Sequence, residues 1–252
     1  MKALFLVFAL LFSPAALAIG GANPFLEHYD ADVRNKASLQ RGARLFVNYC
    51  MSCHSAGYQR YSHLARDLNL TESQVRDNLI FTSDVNGAPT KPGELMVVPM
   101  TEVYAKESFG VVPPNLSLVA RVRGTSWLYS YLKGFYLDPS REPIGVNNTV
   151  FPGVGMPHVL WELQGLQVPV YASEMHDGTE VRSLERLELA VPGEQTPEEY
   201  DRTVADLVNF LAYLAEPARL ERQRLGIWVV LFLVVFSIFA YFLKREYWRD
   251  VH

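Results

Sequence analysis

Apolar residues form one uninterrupted stretch near each end of the chain, and helical and loop patterns alternate between them. The N-terminal stretch, residues 3–12, follows a lysine and precedes a proline and an Ala-Leu-Ala triplet. This order is typical of a secretory signal peptide. We therefore predict a signal peptide at residues 1–18, cleavage after Ala18 and export of the chain that follows.

The C-terminal stretch, residues 225–243, contains 19 consecutive uncharged residues that are almost all apolar. At about 1.5 Å per residue, a helix of this length crosses the roughly 30 Å hydrocarbon layer of a membrane. A buried core helix is the alternative, but the stretch is long for one and has no polar face. We predict a transmembrane helix at 225–243. Basic residues flank both ends, so the signal peptide decides the orientation, with residues 19–218 in the periplasm and a short tail, 244–252, in the cytoplasm.

Helical patterns dominate the region between the two apolar stretches. Thr71 and Thr196 each precede a glutamine or glutamate by three residues, the arrangement of a capping box, and Pro217 is expected to end or kink the last helix. Helices are predicted at residues 28–46, 61–68, 71–81, 117–123, 126–134 and 197–215, with a loop at 83–93 and short strands near 168–171 and 187–191. The sequence predicts one mainly α domain with long irregular loops.

Charge is distributed unevenly along the chain. The formal net charge of −4 gives no reason to expect a nucleic acid partner. Residues 162–206 carry eleven acidic side chains against three arginines, a local charge of −8. Two interpretations stay open: a solvated acidic face, or a surface that steers a basic partner towards the chain.

The two cysteines of the chain both lie in the motif Cys50-Met51-Ser52-Cys53-His54. A C-x-x-C-H motif is the attachment site of a c-type haem. Two thiols about one helical turn apart can add to the two vinyl groups of one haem edge, and the adjacent histidine binds the iron through Nε2. A thioredoxin-like redox pair, half of a zinc site and a small disulfide are the alternatives. The helical flank and the lack of a second cysteine pair favour one covalently bound haem c on Cys50 and Cys53, with His54 as the proximal ligand.

The second axial ligand decides what such a haem does. An open position binds small molecules, whereas a methionine suits the site to electron transfer at a raised potential. Met156 lies in a loop of glycines and prolines at 151–157, which can hold a sulfur close to an iron. Met100 is the next candidate, and His158 or His63 would give a bis-histidine site.

Several motifs, in order along the chain, resemble those of the cytochrome c1 family. They are Gln40-Arg41-Gly42-Ala43, Asn48-Tyr49 before the cysteine motif, Pro113-Pro114-Asn115-Leu116-Ser117, Phe151-Pro152-Gly153 before Gly155-Met156, and Phe210 to Pro217 before one C-terminal span. The resemblance implies Cys50 and Cys53 as thioether sites, His54 and Met156 as the axial ligands, and Arg123 beside a haem propionate, with Arg121 as the alternative. The chain departs from better-known members in lacking a second cysteine pair and a long acidic insertion.

The resemblance also implies a function. Such a subunit takes single electrons from the Rieske iron–sulfur protein and passes them to a cytochrome c-type acceptor, beside cytochrome b in a dimeric ubiquinol–cytochrome c oxidoreductase complex. It is an electron carrier and not itself an enzyme. Two alternatives stay open: an anchored monohaem cytochrome serving a terminal oxidase or another dehydrogenase, and a haem-based sensor or peroxidase with an open distal site.

Overall fold

The structure, a computed structural model, describes residues 23–84, 86–176 and 179–251. The predicted signal peptide at residues 1–18 lies outside the described residues. The helices are α1 Lys36–Leu45 with a π-helical turn Phe46–Cys50, α2 Tyr61–Asp67, α3 Glu72–Leu79, α4 Glu102–Phe109, α5 Val119–Arg123, α6 Thr125–Lys133, α7 Trp161–Gln164, α8 Pro197–Ala215 and α9 Arg219–Tyr247, followed by a 3-10 turn Arg249–Val251. The strands are β1 Ala56–Arg60, β2 Leu95–Met96, β3 Phe135–Leu137, β4 Val146–Asn148, β5 Gly165–His176 and β6 Thr179–Pro192. They pair in order as three antiparallel two-stranded sheets. The helices contain more residues than the strands, so the mainly α prediction is confirmed.

The first helix begins later than predicted. The prediction of a helix from residue 28 is wrong, because α1 starts after Asn35, whose side chain accepts a hydrogen bond from the N–H of Ser38 at 3.1 Å. The preceding residues bond to other helices instead. The main chain of Tyr29 pairs with side chains at the start of α6, and the N–H of Asp32 donates to the side chain of Asn209 at 2.9 Å. Tertiary contacts therefore override the local helical pattern.

Helix α8 is the central helix of the core, and α1 packs across it. Five apolar residues along one face of this helix are all buried: Val204, Leu207, Val208, Leu211 and Leu214. Gly42 lies at the crossing, where an added Cβ atom would overlap the main-chain oxygen of Asp206 and approach Cβ of Phe210 to 2.6 Å. Beside this crossing, Arg41 donates to both carboxylate oxygens of Asp206 at 2.5 and 2.8 Å, and Ser38 Oγ donates to one of them at 2.6 Å.

The predicted helix ends are mostly confirmed. Thr71 and Thr196 both form complete capping boxes, and α5 and α6 are separated at Gly124, which has a φ of +87°. The chain leaves the helical conformation at Glu216 and Pro217 before α9 begins. Helix α4 was not predicted, although its N-cap residue Thr101 accepts a hydrogen bond from the N–H of Tyr104 at 3.2 Å.

The two predicted short strands are parts of one long hairpin. Strands β5 and β6 have 12 and 14 residues and pair from Gly165 and Pro192 outwards, with register shifts after Leu166 and Val170. Apolar side chains on this hairpin, including Tyr171 and Leu189, remain exposed. The pattern that marks a half-buried strand is therefore weak here, and both strands are longer than predicted.

The acidic segment 162–206 does not act as one block of free charge. Asp206 is buried in its ion pair with Arg41, and Asp201 pairs with Lys133 at 2.8 Å. Glu185 and Glu188 both contact Arg186, at 3.0 and 2.7 Å. Arg186 is already counted in the local charge of −8, whereas Arg41 and Lys133 come from outside the segment and neutralise two of its acidic side chains.

Helix α9 carries the predicted membrane span. Its 29 residues include an 18-residue window with a mean hydropathy of 2.6, and none of that window is buried against the rest of the described chain. By length and composition the helix is able to cross a membrane. In the break between α8 and α9, the side chain of Glu216 contacts Arg222 at 2.5 Å and Arg121 at 3.9 Å.

Candidate haem-binding site

The cysteine motif lies on a single turn at the end of α1. The π-helical turn closes where the N–H of Met51 donates to the carbonyl of Phe46 at 2.9 Å. The carbonyl of Cys50 then accepts hydrogen bonds from the N–H groups of Cys53 and His54, at 3.1 and 2.8 Å. Because both bonds converge on one carbonyl, the two thiols and the imidazole are held on one turn of chain.

The two cysteine side chains differ in exposure. Cys50 is buried and Cys53 is half-buried, and no disulfide joins them. Burial, with a smaller contribution from the neighbouring Cys53, raises the pKa of Cys50 to about 12. Among the described residues, no group of three or more histidine, cysteine, aspartate and glutamate side chains could hold a metal ion together.

His54 is oriented by the Pro-Pro loop. Its Nδ1 lies 2.8 Å from the carbonyl oxygen of Pro114, which can only accept, so Nδ1 carries the proton and Nε2 keeps its lone pair. Burial lowers the pKa of His54, while the bond to Pro114 acts in the opposite direction. The N–H of Leu116 also donates to the carbonyl of Ser55 at 2.8 Å, which fixes the same loop beside the motif. The bond to Pro114 therefore fixes the tautomer that leaves Nε2 available to an iron.

The loop that carries Met156 is held by side chains of the segment before it. The side chain of Asn147 accepts from the N–H of Gly153 at 2.9 Å, and Arg141 donates to the carbonyl of Val154 at 2.7 Å. Gly153 has a φ of +80°, a conformation that side-chain-bearing residues rarely adopt. These contacts give the loop one defined path to Met156.

The structure brings the His54 and Met156 loops together. A Cβ atom added to Gly155 would lie 3.5 Å from a methyl carbon of Val111, an ordinary packing distance. Val111 is three residues before Pro114, whose carbonyl holds His54. One segment of chain thus contacts both loops, so the two predicted ligands belong to one region of the molecule.

The residues in this region suit a haem. Val111, on the segment beside both loops, and Phe151, in the loop that carries Met156, are large apolar side chains that are 48% and 40% exposed. An exposed apolar surface of this kind is matched by a large apolar ligand. The guanidinium of Arg123 lies 5.0 Å from the ring centre of Trp127 and 5.6 Å from that of Phe151, which places a positive charge beside the Met156 loop.

The other candidates have different surroundings. Arg121 points towards Glu216 at the end of α8 and not towards Phe151. The imidazole of His63 hydrogen-bonds to the side chain of Gln59 at 3.0 Å. His158 is buried, and its ring stacks on Phe135 at 4.9 Å; burial lowers its pKa to about 4. Met100 is half-buried just before α4.

The residues that support the two predicted ligands are not evident from the sequence. The Pro113-Pro114 pair was noted as a motif, but only the structure assigns the carbonyl of Pro114 to His54. Likewise, the hydroxyl of Tyr131 donates to the sulfur of Met156 at 3.4 Å, a contact between residues 25 positions apart. No local pattern marks a partner at that separation.

A mainly helical domain with a C-x-x-C-H motif, continued by one apolar helix, defines the class of membrane-anchored c-type cytochromes. The family model described as "Cytochrome C1 family" matches residues 24–181 and 190–251. The chain is 48% identical to cytochrome c1 of Allochromatium vinosum over 252 residues, with all of both chains covered. It is 28% identical to cytochrome c1 of Blastochloris viridis, covering 96% of this chain and 94% of the relative. The chain belongs to the cytochrome c1 family.

One similar protein carries a different name. The ammonia monooxygenase gamma subunit of Nitrosomonas europaea is 44% identical over 248 residues, with 98% of each chain covered. The family assignment rests on the family match and on the A. vinosum protein.

Membership of the family confirms the predicted cofactor and the general role. The chain carries a covalently bound c-type haem and is a membrane-anchored electron-transfer subunit of a cytochrome bc1 complex, in which cytochrome b is a partner. This role favours the bc1 assignment over a terminal-oxidase cytochrome, a sensor or a peroxidase.

Proposed function

We propose that this subunit receives single electrons from the Rieske iron–sulfur protein and passes them to a cytochrome c-type acceptor. One observation carries the proposal: the segment from Val111 to Pro114 contacts both the His54 side and the Met156 side of the site. A site with histidine on one side and methionine on the other is closed to small molecules and suited to electron transfer.

We assign the attachment of the haem to Cys50 and Cys53. Each thiol would add across one vinyl group, so that sulfur bonds to one vinyl carbon and the thiol hydrogen ends on the other; no oxidant or reductant is consumed. His54 would hold the iron through Nε2 and Met156 through its sulfur, and Arg123 would neutralise a propionate. When bound, the haem supplies a one-electron iron couple.

The protein's own part in electron transfer is to hold these groups still. The bond from His54 to Pro114 fixes the imidazole, and the contacts of Asn147 and Arg141 fix the methionine loop. Ligands that keep their positions in both oxidation states reduce the rearrangement that accompanies each transfer. No general acid or base is required by this mechanism.

The direction of transfer is tested in the purified complex. With the Rieske protein present, a quinol pulse is expected to reduce the haem of this subunit within one turnover, as followed by its absorption. With the Rieske protein removed, this reduction is expected to fall to the background rate. A haem reduced equally fast in both preparations would contradict the proposed donor.

Mild detergent extraction should recover cytochrome b and the Rieske protein with this chain at the mass of a dimeric complex.

We also propose a topology: a signal peptide at 1–18, a periplasmic domain at 19–218, a single span of the inner membrane at 225–243 and a cytoplasmic tail at 244–252. Support comes from the apolar, unburied surface of α9 and the order of the N-terminal residues. Protease added to intact spheroplasts is expected to degrade the haem domain and to spare a tag fused after His252. Digestion of the tag with survival of the domain would reverse the orientation.

A further inference from the structure

The sulfur of Met156 has one hydrogen-bond donor in the described structure, the phenol of Tyr131. The Tyr131 oxygen lies 3.4 Å from the Met156 sulfur. A thioether sulfur carries no hydrogen, so the tyrosine hydroxyl must be the donor.

Three aromatic rings fix the position of that phenol. The Tyr131 ring stacks on Trp127 at 4.8 Å with an interplanar angle of 12°, and it meets Phe135 at 5.2 Å and Phe151 at 6.5 Å in edge arrangements. The carbonyl of Tyr131 accepts a hydrogen bond from the side chain of Asn148 at 2.8 Å. A ring packed in this way cannot swing away from the sulfur without breaking several contacts at once.

Asn148 connects the main chain of Tyr131 to the loop that carries Met156. Its side-chain oxygen accepts hydrogen bonds from the N–H groups of Val150 and Phe151, at 3.0 and 3.2 Å, while its nitrogen donates to Tyr131. The main chain of Tyr131 and the loop that carries Met156 are therefore both held by the buried side chain of Asn148.

We propose that Tyr131 is a positioning residue for Met156 that also weakens the sulfur as an electron donor. This inference rests on the proposed role of Met156 as a ligand. A thioether sulfur has two lone pairs, so one can bind the iron while the other accepts the phenol hydrogen. The hydrogen bond draws electron density from the sulfur, and a weaker donor favours the ferrous over the ferric state.

A second hydrogen bond from a tyrosine to a methionine sulfur shows why the test must measure a redox property of the iron. Tyr61 donates to the sulfur of Met51 at 3.4 Å inside the core, where the contact fills space between buried side chains. A tyrosine next to a methionine is thus compatible with packing alone. Only a change in the properties of the iron site separates the two roles at Tyr131.

The test is Tyr131→Phe in the full-length holoprotein, which keeps the ring and removes the hydroxyl. At a fixed ambient potential, the ratio of ferrous to ferric protein is expected to fall about three- to tenfold, a shift of about 30 to 60 mV at 59 mV per tenfold for one electron. The red methionine-to-iron charge-transfer absorption of the ferric form should also move or weaken. Tyr129→Phe removes a hydroxyl from the same helix on the side that stacks on Tyr29, and is the matched control. A Tyr131→Phe protein with the potential and spectrum of this control would overturn the inference.

Two further measurements keep the outcomes distinct. If Met156→Leu retains the charge-transfer absorption, the proposed ligand is wrong; if Met156→Leu loses it and Tyr131→Phe changes nothing, only the role of Tyr131 fails. Should Tyr131→Phe not accumulate, the wild-type ferrous protein supplies the answer by NMR. A slowly exchanging Tyr131 hydroxyl proton close to the Met156 methyl group is expected, and a hydroxyl that exchanges too fast to observe would contradict the inference.

Discussion

Replacing both Cys50 and Cys53 with serine is expected to abolish covalent haem on this chain. The thioether links need sulfur, because a serine hydroxyl is a much poorer nucleophile and does not add to a vinyl group. The chain has no other cysteine that could take over. Haem-dependent peroxidase staining after denaturing electrophoresis measures the result, since only covalently attached haem stays with the protein.

The control lies inside the same motif. Ser52 is exposed between the two cysteines, and its hydroxyl lies 3.7 Å from the sulfur of Cys53. Ser52→Ala should keep full staining, and each single cysteine variant should retain at most one link and stain less. Staining of the double variant at the level of the Ser52→Ala control would refute the assignment of both cysteines.

Gly42→Ala is expected to cause a large loss of stability. The added Cβ atom would overlap the main-chain oxygen of Asp206, and main chain cannot swing aside as a side chain can. The two helices must therefore separate, which disturbs the pairing of Arg41 with Asp206. Overpacking of this kind typically costs about 1–3 kcal/mol, and a backbone obstacle puts the cost near the upper end. For a domain of this size, about 3 kcal/mol lowers the melting temperature by about 6–12 °C.

Gly93→Ala is the matched control for this helix crossing. Gly93 is exposed, and an added Cβ atom would meet nothing within 4 Å. Thermal unfolding of the holoprotein should show no measurable change for Gly93→Ala and a clear drop for Gly42→Ala. Equal melting temperatures for the two variants would mean that α1 and α8 do not pack as closely as described.

Features whose causes are local could be predicted from the sequence. The capping boxes at Thr71 and Thr196 depend on residues three positions apart, and the break at Gly124 depends on one residue's conformational freedom. The apolar span from residue 225 to residue 243 falls within α9. In each case the physical cause lies within the segment itself.

Features whose causes are distant could not be predicted in this way. The helix predicted from residue 28 is absent before Lys36 because Tyr29 and Asp32 bond to side chains from α6 and α8. The supporting contacts of the site are of the same kind: Pro114 is 60 residues from His54 in sequence. Residue types and spacing name candidates for iron binding, whereas the groups that orient them are supplied by the fold.

The interruption at Glu216 and Pro217 allows helices α8 and α9 to change in length independently of each other. In one continuous helix, inserting a residue rotates everything beyond it by about 100°, so a change in the lipid-facing part would turn the core-facing part out of register. Here the break between α8 and α9 absorbs that rotation. The membrane helix is free to gain or lose residues to suit bilayers of different thickness, while α8 keeps its apolar face against α1.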